Sequence, residues 1–424
     1  MTQQVLINLK EHSICISFGS SNPLYYFDKA GRLIGAYVAG RNFKRSLDDR
    51  LHQQWGVWQD GVRRRRRRII SGNEKVAFFE NMSQAIALGY YALLEGRDND
   101  VHITSMRKTK PQRAETIRWL KKILAFDETA RKREAATFHS IYKPVGILPP
   151  DQYLSIVLQA TEGCAYNQCS FCDFYKHTKF HIKSETEFRA HIESVKAFFR
   201  ESIRLRKSIF LADANALMIP QNHLLQVFEQ VNHAFDILPS KRGIDKVDWK
   251  TKHPIHFTGI YAFIDAFSTR KRSTFDFATL RRWNLKRVYI GVETGNGELL
   301  RFLRKPGTPA LIHEAVETIK AGGVHVGVIL LIGVGGEDYF DAHVKDSCAL
   351  INEMDLSSGD IIYLSEFVEH AGLAYSQRVA EAGIKPLTQK RMQAQMQAMK
   401  AGFRFSGKQG GPQVSIYDIR EFSY

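Results

Sequence analysis

Three cysteines, Cys164, Cys169 and Cys172, fall within nine residues directly behind an apolar, strand-like run from Tyr153 to Ala160, and no other feature constrains this chain as strongly. The remaining cysteines are Cys15 and Cys348, so the total of five is odd. An odd set with three members crowded together is a poor disulfide framework and a plausible metal site, which implies a reducing compartment. The N-terminus MTQQVLINLKEH has no basic start followed by an apolar run and a small-residue cleavage site, so no signal peptide is expected. The longest apolar stretch, Val324 to Val334, is interrupted by His325 and falls short of the ~20 residues a bilayer helix needs. A cytoplasmic protein without a membrane span is the expectation.

A chain of 424 residues is long for one domain, and two or three units are expected. Hydrophobic residues at 44% and charged residues at 25% exclude wholesale disorder. Residues 1–150 read as an α+β domain: a hairpin of Leu24 to Phe27 and Arg32 to Val38 around Asp28-Lys29-Ala30-Gly31, a basic segment, then helices over Asn81 to Leu94, Pro111 to Leu124 and Asp127 to Tyr142. The segment Val145 to Pro150 reads as a linker, because its paired prolines stop helices and favour extended chain.

From Tyr153 onward, short apolar runs alternate with longer amphipathic stretches, the pattern of βα units around a parallel sheet. Six strands are predicted: Tyr153 to Ala160, Ser208 to Ala212, Ile255 to Tyr261, Arg287 to Glu293, Val324 to Ile332 and Asp360 to Leu364. In the helix after the first strand, Ser184 and Glu187 form a capping box, and Phe188, Ile192, Val195 and Phe199 share one face. Beyond the sixth strand, Ala371 to Ala382 and Thr388 to Phe403 read as helices and Val414 to Tyr424 as a short tail.

A loop at the C-terminal end of a parallel strand is where such sheets bind ligands, and the cysteines occupy one, Thr161 to Tyr175. Three thiolates can each bind one iron of a four-iron cubane, whose corners normally carry four cysteines. One iron is then left without a protein ligand. A structural cluster has no use for that open corner, whereas a catalytic one holds a substrate or cofactor on it. The competing reading is a zinc ion held by the three cysteines and His177 or His181.

The cysteine loop does not stand alone. Phe171 precedes the third cysteine; a strand ends in Phe210-Leu211-Ala212-Asp213-Ala214-Asn215; Gly291-Val292-Glu293-Thr294-Gly295 is followed by Leu299-Leu300 and Lys305-Pro306-Gly307; and an apolar run from Val326 ends in Gly333-Val334-Gly335-Gly336. Together these resemble the radical S-adenosylmethionine superfamily over roughly Tyr153 to Glu366, in style nearest its coproporphyrinogen-oxidase-like and elongator-type branch. That superfamily usually has three residues between the first two cysteines. Here Ala165 to Gln168 are four, an excess that a loop bulge absorbs, and the second gap, Ser170-Phe171, is the usual two.

The resemblance implies a partial six-stranded parallel (β/α)6 barrel over residues 151–370, between an N-terminal α+β domain (1–150) and a C-terminal helical extension (371–424). It implies a four-iron four-sulfur (4Fe-4S) cluster on Cys164, Cys169 and Cys172, with the open iron chelated by the amino and carboxylate groups of S-adenosylmethionine. Phe171 is then expected near the adenine, and the turn Ala212, Asp213, Ala214, Asn215 at the methionine amino group. Glu293, beside Thr294, is expected at the ribose hydroxyls, and Val328, Leu330 and Gly333 along the adenine. Blander roles compete at each: core packing for Phe171, a helix cap for Asp213, a paired surface carboxylate for Glu293, a tight turn for Gly333.

The implied activity is reductive cleavage of S-adenosylmethionine to methionine and a 5′-deoxyadenosyl radical, which takes hydrogen from an unknown substrate. A small electron donor of the flavodoxin or ferredoxin type is the implied partner. The alternatives are a tRNA modification enzyme of the same superfamily and a non-catalytic haem or cofactor carrier that keeps the fold. Candidate substrate-facing residues are Tyr175, His256, Thr258, Tyr363 and Glu366, although His256 and Thr258 serve equally well as interior packing. Cys348 suits a small buried apolar role, and Cys15 has no assigned one.

The formal charge of +16, from 60 Lys plus Arg against 44 Asp plus Glu, suits an anionic partner without choosing one. Arg63 to Arg68 are consecutive, and basic residues recur at Arg107, Lys108, Lys110, Arg113, Lys121, Lys122, Arg131, Lys132 and Arg133, near Trp55, Trp58 and Trp119. This composition admits a phosphate-binding face for RNA. The favoured expectation is a solvated, disordered arm, since charge runs are commonly solvated and no RNA-binding module is recognisable.

Overall fold

In the computed structural model, which describes residues 4–19, 23–59, 62–106, 112–240, 244–370, 372–405 and 410–424, the chain divides into two units. One comprises residues 1–144, 194–206 and 423–424, the other residues 145–193 and 207–422. Arg107, Lys108, Lys110, Pro111 and Ala371 lie outside the described residues. Among the described residues no helix is long and apolar enough to cross a membrane.

The first unit is built on period-two burial. Val5, Ile7 and Leu9 in β1 (Val5–Leu9) are buried, and so are Ile14, Ile16 and Phe18 in β2 (Ser13–Phe18), which pairs with it antiparallel. The meander continues through β3 (Leu24–Asp28), β4 (Leu33–Val38), β5 (Arg41–Arg45), β6 (Leu51–Gln59) and β7 (Val62–Ile70). With β8 (Val101–Ser105) parallel to β1, the sheet runs β7-β6-β5-β4-β3-β2-β1-β8. The hairpin expected around Asp28 to Gly31 is β3 and β4. Gly31 there has φ +87°, and a Cβ on it would come within 2.6 Å of the Lys122 carbonyl oxygen, so the turn demands glycine.

Helices α1 (Gly72–Leu94), α2 (Arg113–Leu124) and α3 (Glu128–Ile141) complete this unit, α1 beginning nine residues before its expected start at Asn81. The arginine run is not an arm: Arg63 to Arg68 lie within β7, the edge strand, in continuous antiparallel register with β6. Strand pairing supplies the order that the charge run by itself argued against.

In the second unit, near-continuous burial replaces alternation, as a sheet covered on both faces requires. Its strands are β9 (Ser155–Gln159), β12 (Ser208–Ala212), β13 (Ile260–Phe263), β14 (Leu285–Glu293), β15 (His325–Ile332), β16 (Ile361–Glu366) and β17 (Gln413–Tyr417), with the short pair β10 (Thr161–Glu162) and β11 (His181–Ile182) at the cysteine loop. The seven long strands form one parallel sheet in sequential order, β9 to β17.

Two expectations are corrected here. The third strand begins at Ile260, not Ile255: before it Phe257 makes only an isolated bridge to Ile237, and Gly259 lies so close to its neighbour that a Cβ on it would strike the Lys286 side chain at 2.1 Å. The tail after Val414 contains a seventh strand, β17, paired along β16 from Ile361↔Gln413 to Ser365↔Tyr417.

Helices join the strands. In α4 (Glu185–Phe199) the capping box forms, the Glu187 amide donating to Ser184 Oγ at 3.3 Å and the Ser184 amide to Glu187 Oε2 at 2.7 Å. Its residues from Ser194 onward belong to the first unit. Next come α5 (Gln221–Ala234), α6 (Lys246–Lys252), α7 (Ala266–Thr269), α8 (Thr274–Arg282), α9 (Gly297–Phe302), α10 (Pro309–Ala321), α11 (Phe340–Glu353), α12 (Ala374–Glu381) and α13 (Gln389–Gly402). The last two lie within the expected terminal helices, and Thr388 caps α13 by accepting from the Arg391 amide at 3.3 Å.

Candidate metal and cofactor site

The cysteine loop leaves β10 through Gly163, whose φ of +72° and 2.7 Å clearance from the Thr178 carbonyl oxygen exclude any side chain. Asp213, at the end of β12, fastens that departure. Its carboxylate accepts from the Gly163 amide at 3.0 Å and from Gln159 Nε2 at 2.9 Å, while its own amide donates to Thr161 Oγ1 at 3.0 Å. The far end of the loop is held by Ser170, whose amide and hydroxyl both donate to the Leu303 carbonyl at 3.0 Å and whose carbonyl accepts from the Tyr375 amide at 3.0 Å.

The four-residue gap between the first two cysteines contains the device that absorbs the extra residue. Asn167 takes φ +48°, a left-handed conformation that asparagine tolerates better than most. There its amide donates to Cys164 Sγ at 3.3 Å and its side chain donates to the Tyr175 carbonyl at 3.0 Å.

All three cysteines line one open cavity at the C-terminal ends of the strands. Burial pushes the Cys169 thiol up to about 12 and the Cys172 thiol up to about 11. Both are therefore protonated at neutral pH unless a cation is bound, and metal loading must release their protons. Among the described residues no three His, Cys, Asp or Glu side chains meet as ligands of a single metal ion. His177 and His181, the proposed completions of a zinc site, do not line the cavity; His181 instead pairs with Glu187 at 3.2 Å. Three thiols around a shared cavity fit a polynuclear cluster, which spreads its thiolates over separate irons.

Across the cavity stands a buried ion pair that the sequence did not announce. Gly291 and Glu293 flank a register shift in the β14–β15 ladder, and Glu293 takes φ +62°. This irregularity folds the Glu293 carboxylate back over Gly291, where a Cβ would lie 2.3 Å from Glu293 Oε1. Lys305 Nζ meets that oxygen at 3.2 Å and Asp265 Oδ1 at 3.8 Å. Burial alone would lower the Lys305 pKa, but Glu293, then Asp265 and Cys169, reverse this and hold it well above its usual range, a fixed cation beside the thiols.

Of the expected cofactor residues, the cavity gathers Phe171, Ala214 and Glu293 with the three cysteines. Ala212, Asp213, Asn215, Thr294, Val328, Leu330 and Gly333 do not line it. Asp213 holds the loop, as described. Asn215 Nδ2 donates to Asp265 Oδ2 at 3.0 Å and Ser268 Oγ at 2.8 Å. Thr294 Oγ1 lies 2.7 Å from His343 Nδ1, and the Gly333 amide donates to Gln395 Oε1 at 2.8 Å. Val328 and Leu330 are fully buried, and it is Ile329 and Leu331, the opposite phase of β15, that reach the cavity.

Tyr175 and Glu366 also line the cavity, whereas His256, Thr258 and Tyr363 do not. The Tyr363 hydroxyl is spent on Asp151 at 2.7 Å, together with that of Tyr289 at 2.6 Å. Sequence reasoning missed Lys305, Asp265, Ser365 and Tyr417 as lining residues. Lys305 stood in a quoted motif, Asp265 follows a strand whose start was misplaced, and Tyr417 belongs to the unexpected β17.

These observations define a class: a parallel α/β domain with a three-thiol site at its strand ends. Residues 158–348 match the Radical SAM superfamily model, so this part of the chain is a radical S-adenosylmethionine domain, a kind of domain whose cofactors are a 4Fe-4S cluster and S-adenosylmethionine. No curated protein matches the sequence. Similar solved structures include the coproporphyrinogen III oxidase HemN from Escherichia coli, 13% identical over 67% of this chain and 57% of that one, with a TM-score of 0.41. The cobalamin-dependent S-adenosylmethionine radical enzyme OxsB is 14% identical over 56% of this chain and 30% of its own, TM-score 0.35. The radical S-adenosylmethionine methyltransferase TsrM from Kitasatospora setae is 15% identical over 50% of this chain and 36% of its own, TM-score 0.34. The chain thus spans less than two thirds of each.

Lys305→Met leaves Glu293 buried, and Asp265 half-buried, without their cation, and urea unfolding should register a loss of about 3–5 kcal/mol. Adding Glu293→Gln should recover part of it, so that the two changes couple by about 1 kcal/mol or more; additive losses would mean that the pair does not interact. Burial raises the Asp213 carboxyl from an ordinary value near 3.8 to about 7. The folded state then holds a proton that the unfolded state has released, so this group's contribution to stability falls as pH rises from about 4 to about 7. In Asp213→Asn the amide nitrogen cannot accept from Gly163, a deficit at every pH. Relative to wild type that deficit should shrink by about 1 kcal/mol per pH unit between pH 5 and 7, and a constant deficit would refute the shift.

Proposed function

We propose that this protein is an S-adenosylmethionine-dependent radical enzyme acting on a substrate not yet known. The observation that carries the reading is the convergence of Cys164, Cys169, Cys172, Phe171 and Glu293 on one cavity at the strand ends of a domain matching this superfamily. The sequential parallel order of β9 to β16 favours a sheet curled as a partial barrel around that cavity, extended by β17.

In this reading the three thiolates hold three irons of a 4Fe-4S cluster and leave one to S-adenosylmethionine. The chemistry these groups supply when bound is reductive cleavage of a carbon–sulfur bond to methionine and a 5′-deoxyadenosyl radical. The chain's own part is placement and exclusion of water. Phe171, Ile329 and Leu331 give apolar surface to an adenine, and Ala214 offers backbone without bulk. Glu293 can accept ribose hydroxyls; burial raises its pKa, and Lys305 opposes that shift by favouring the carboxylate. Aromatic side chains including Tyr175, Phe263 and Tyr417 line the cavity and shield a radical from solvent. A flavodoxin or ferredoxin type donor is the partner this chemistry needs.

With iron and sulfide reconstituted anaerobically and dithionite as reductant, wild-type protein should release 5′-deoxyadenosine from S-adenosylmethionine slowly even without substrate. Cys172→Ala should release none. Iron-loaded wild type that forms no 5′-deoxyadenosine would overturn the enzymatic reading in favour of a carrier.

A further inference from the structure

The radical chemistry leaves the arginine run unused. The strands β5, β6 and β7 carry Arg41, Lys44 and the six consecutive arginines of β7, besides Arg45, which is buried against Asp49 and Glu134, and their own sequences contain no Asp or Glu. Across the β6–β7 ladder, Gln53 faces Arg68, Gln54 faces Arg67, Trp55 faces Arg66 and Gly56 faces Arg65. Edge strands often carry a charge or two to block aggregation. A run this long goes further, because a strand sends alternate side chains to opposite faces: Arg65 and Arg67 lie on one face of this ribbon and Arg66 on the other, while Arg68 pairs with Glu74.

Neighbouring cations add to burial in lowering two basic groups of these strands. Burial first, then Arg206 and Arg67, push Lys44 down to about 8. Burial first, then Arg67 and Arg50, push His52 down to about 4. Aromatic surface is interleaved with this charge: Trp58 is 75% exposed, and the Arg41 guanidinium lies 5.3 Å from the centre of the Trp55 ring. Trp58, Gly56 and Gln54 share a face of β6 with their partners Arg65 and Arg67. Gly56 therefore leaves a gap between an exposed indole and a planar amide, with arginines alongside.

We propose that the β5–β6–β7 surface binds single-stranded nucleic acid, its arginines meeting phosphates and Trp58 stacking on an unpaired base. The chemistry on the page favours this occupant over an anionic membrane. Cations on both faces, interleaved with Gln54 and Asn42, suit a strand with phosphates and hydrogen-bonding bases. A membrane would ask for one continuous apolar face. The inference is independent of the radical reading.

The test is fluorescence anisotropy of a labelled uridine-rich single strand with the reconstituted full-length protein across a salt series. Log affinity should fall linearly with log salt, and Arg65→Ala with Arg66→Ala should flatten the slope by about 0.7 for each phosphate no longer neutralised. Arg65→Lys with Arg66→Lys should keep the slope, which separates lost charge from lost folding. Trp58→Ala should weaken binding about tenfold at unchanged slope. The deoxy form of the strand should bind similarly, since neither phosphate pairing nor stacking reads the 2′-hydroxyl. The proposal is overturned if no salt-dependent binding is seen, or if the arginine-to-alanine variant binds as wild type. It is overturned equally if Trp58→Ala is silent while heparin or phosphatidylserine vesicles bind as well as the strand does.

Discussion

One carboxylate decides where the thiols go. Asp213 receives hydrogen bonds from Gln159 on β9 and from Gly163, the residue before Cys164, so the strand ends and the cysteine loop are tied at a single buried point. Because the loop is also pinned through Ser170 to Leu303, its three cysteines are held from both sides and turned toward one cavity. The cost of burying Asp213 appears in its raised pKa and is offset by the two hydrogen bonds and by the order they impose.

The same burial makes the site dependent on its metal. Thiols raised to about 11 and 12 are poor ligands until a cation draws off their protons, and the fixed ammonium of Lys305 assists by favouring the thiolate form of Cys169. Glu293 and Asp265 in turn keep Lys305 charged inside a largely apolar cavity. Thiols, ammonium and carboxylates thus form one electrostatically coupled set, and Gly291 belongs to it: a Cβ there would displace the carboxylate that pairs with the lysine.

The parts of this architecture that sequence makes legible are those where one physical cause dominates. Ser208–Ala212 is recognisable as a strand because all five residues are buried, and α4 because its capping box and apolar face agree. The cysteines are legible because spacing alone demands a ligand. Where two causes compete, the reading fails. β17 is an edge strand with Ile416 54% exposed, so it lacks the apolar continuity of its neighbours. Arg63 to Arg68 look unfoldable until β6 pairs with them. On β15 both faces are apolar, so nothing in the pattern tells Val328 and Leu330 from Ile329 and Leu331, and only the tertiary arrangement assigns the cavity face. The pairing of Lys305 with Glu293 and Asp265 joins residues far apart in the chain and has no local signature.

The central claim is that Cys164, Cys169 and Cys172 hold one cluster with an iron left open for S-adenosylmethionine. Electron paramagnetic resonance of the anaerobically reconstituted, reduced protein, recorded with and without S-adenosylmethionine and compared with Cys169→Ala, tests it most directly. The account predicts a four-iron signal that shifts when S-adenosylmethionine is added and is absent from the variant. A protein that retains zinc and gives no such signal would contradict it.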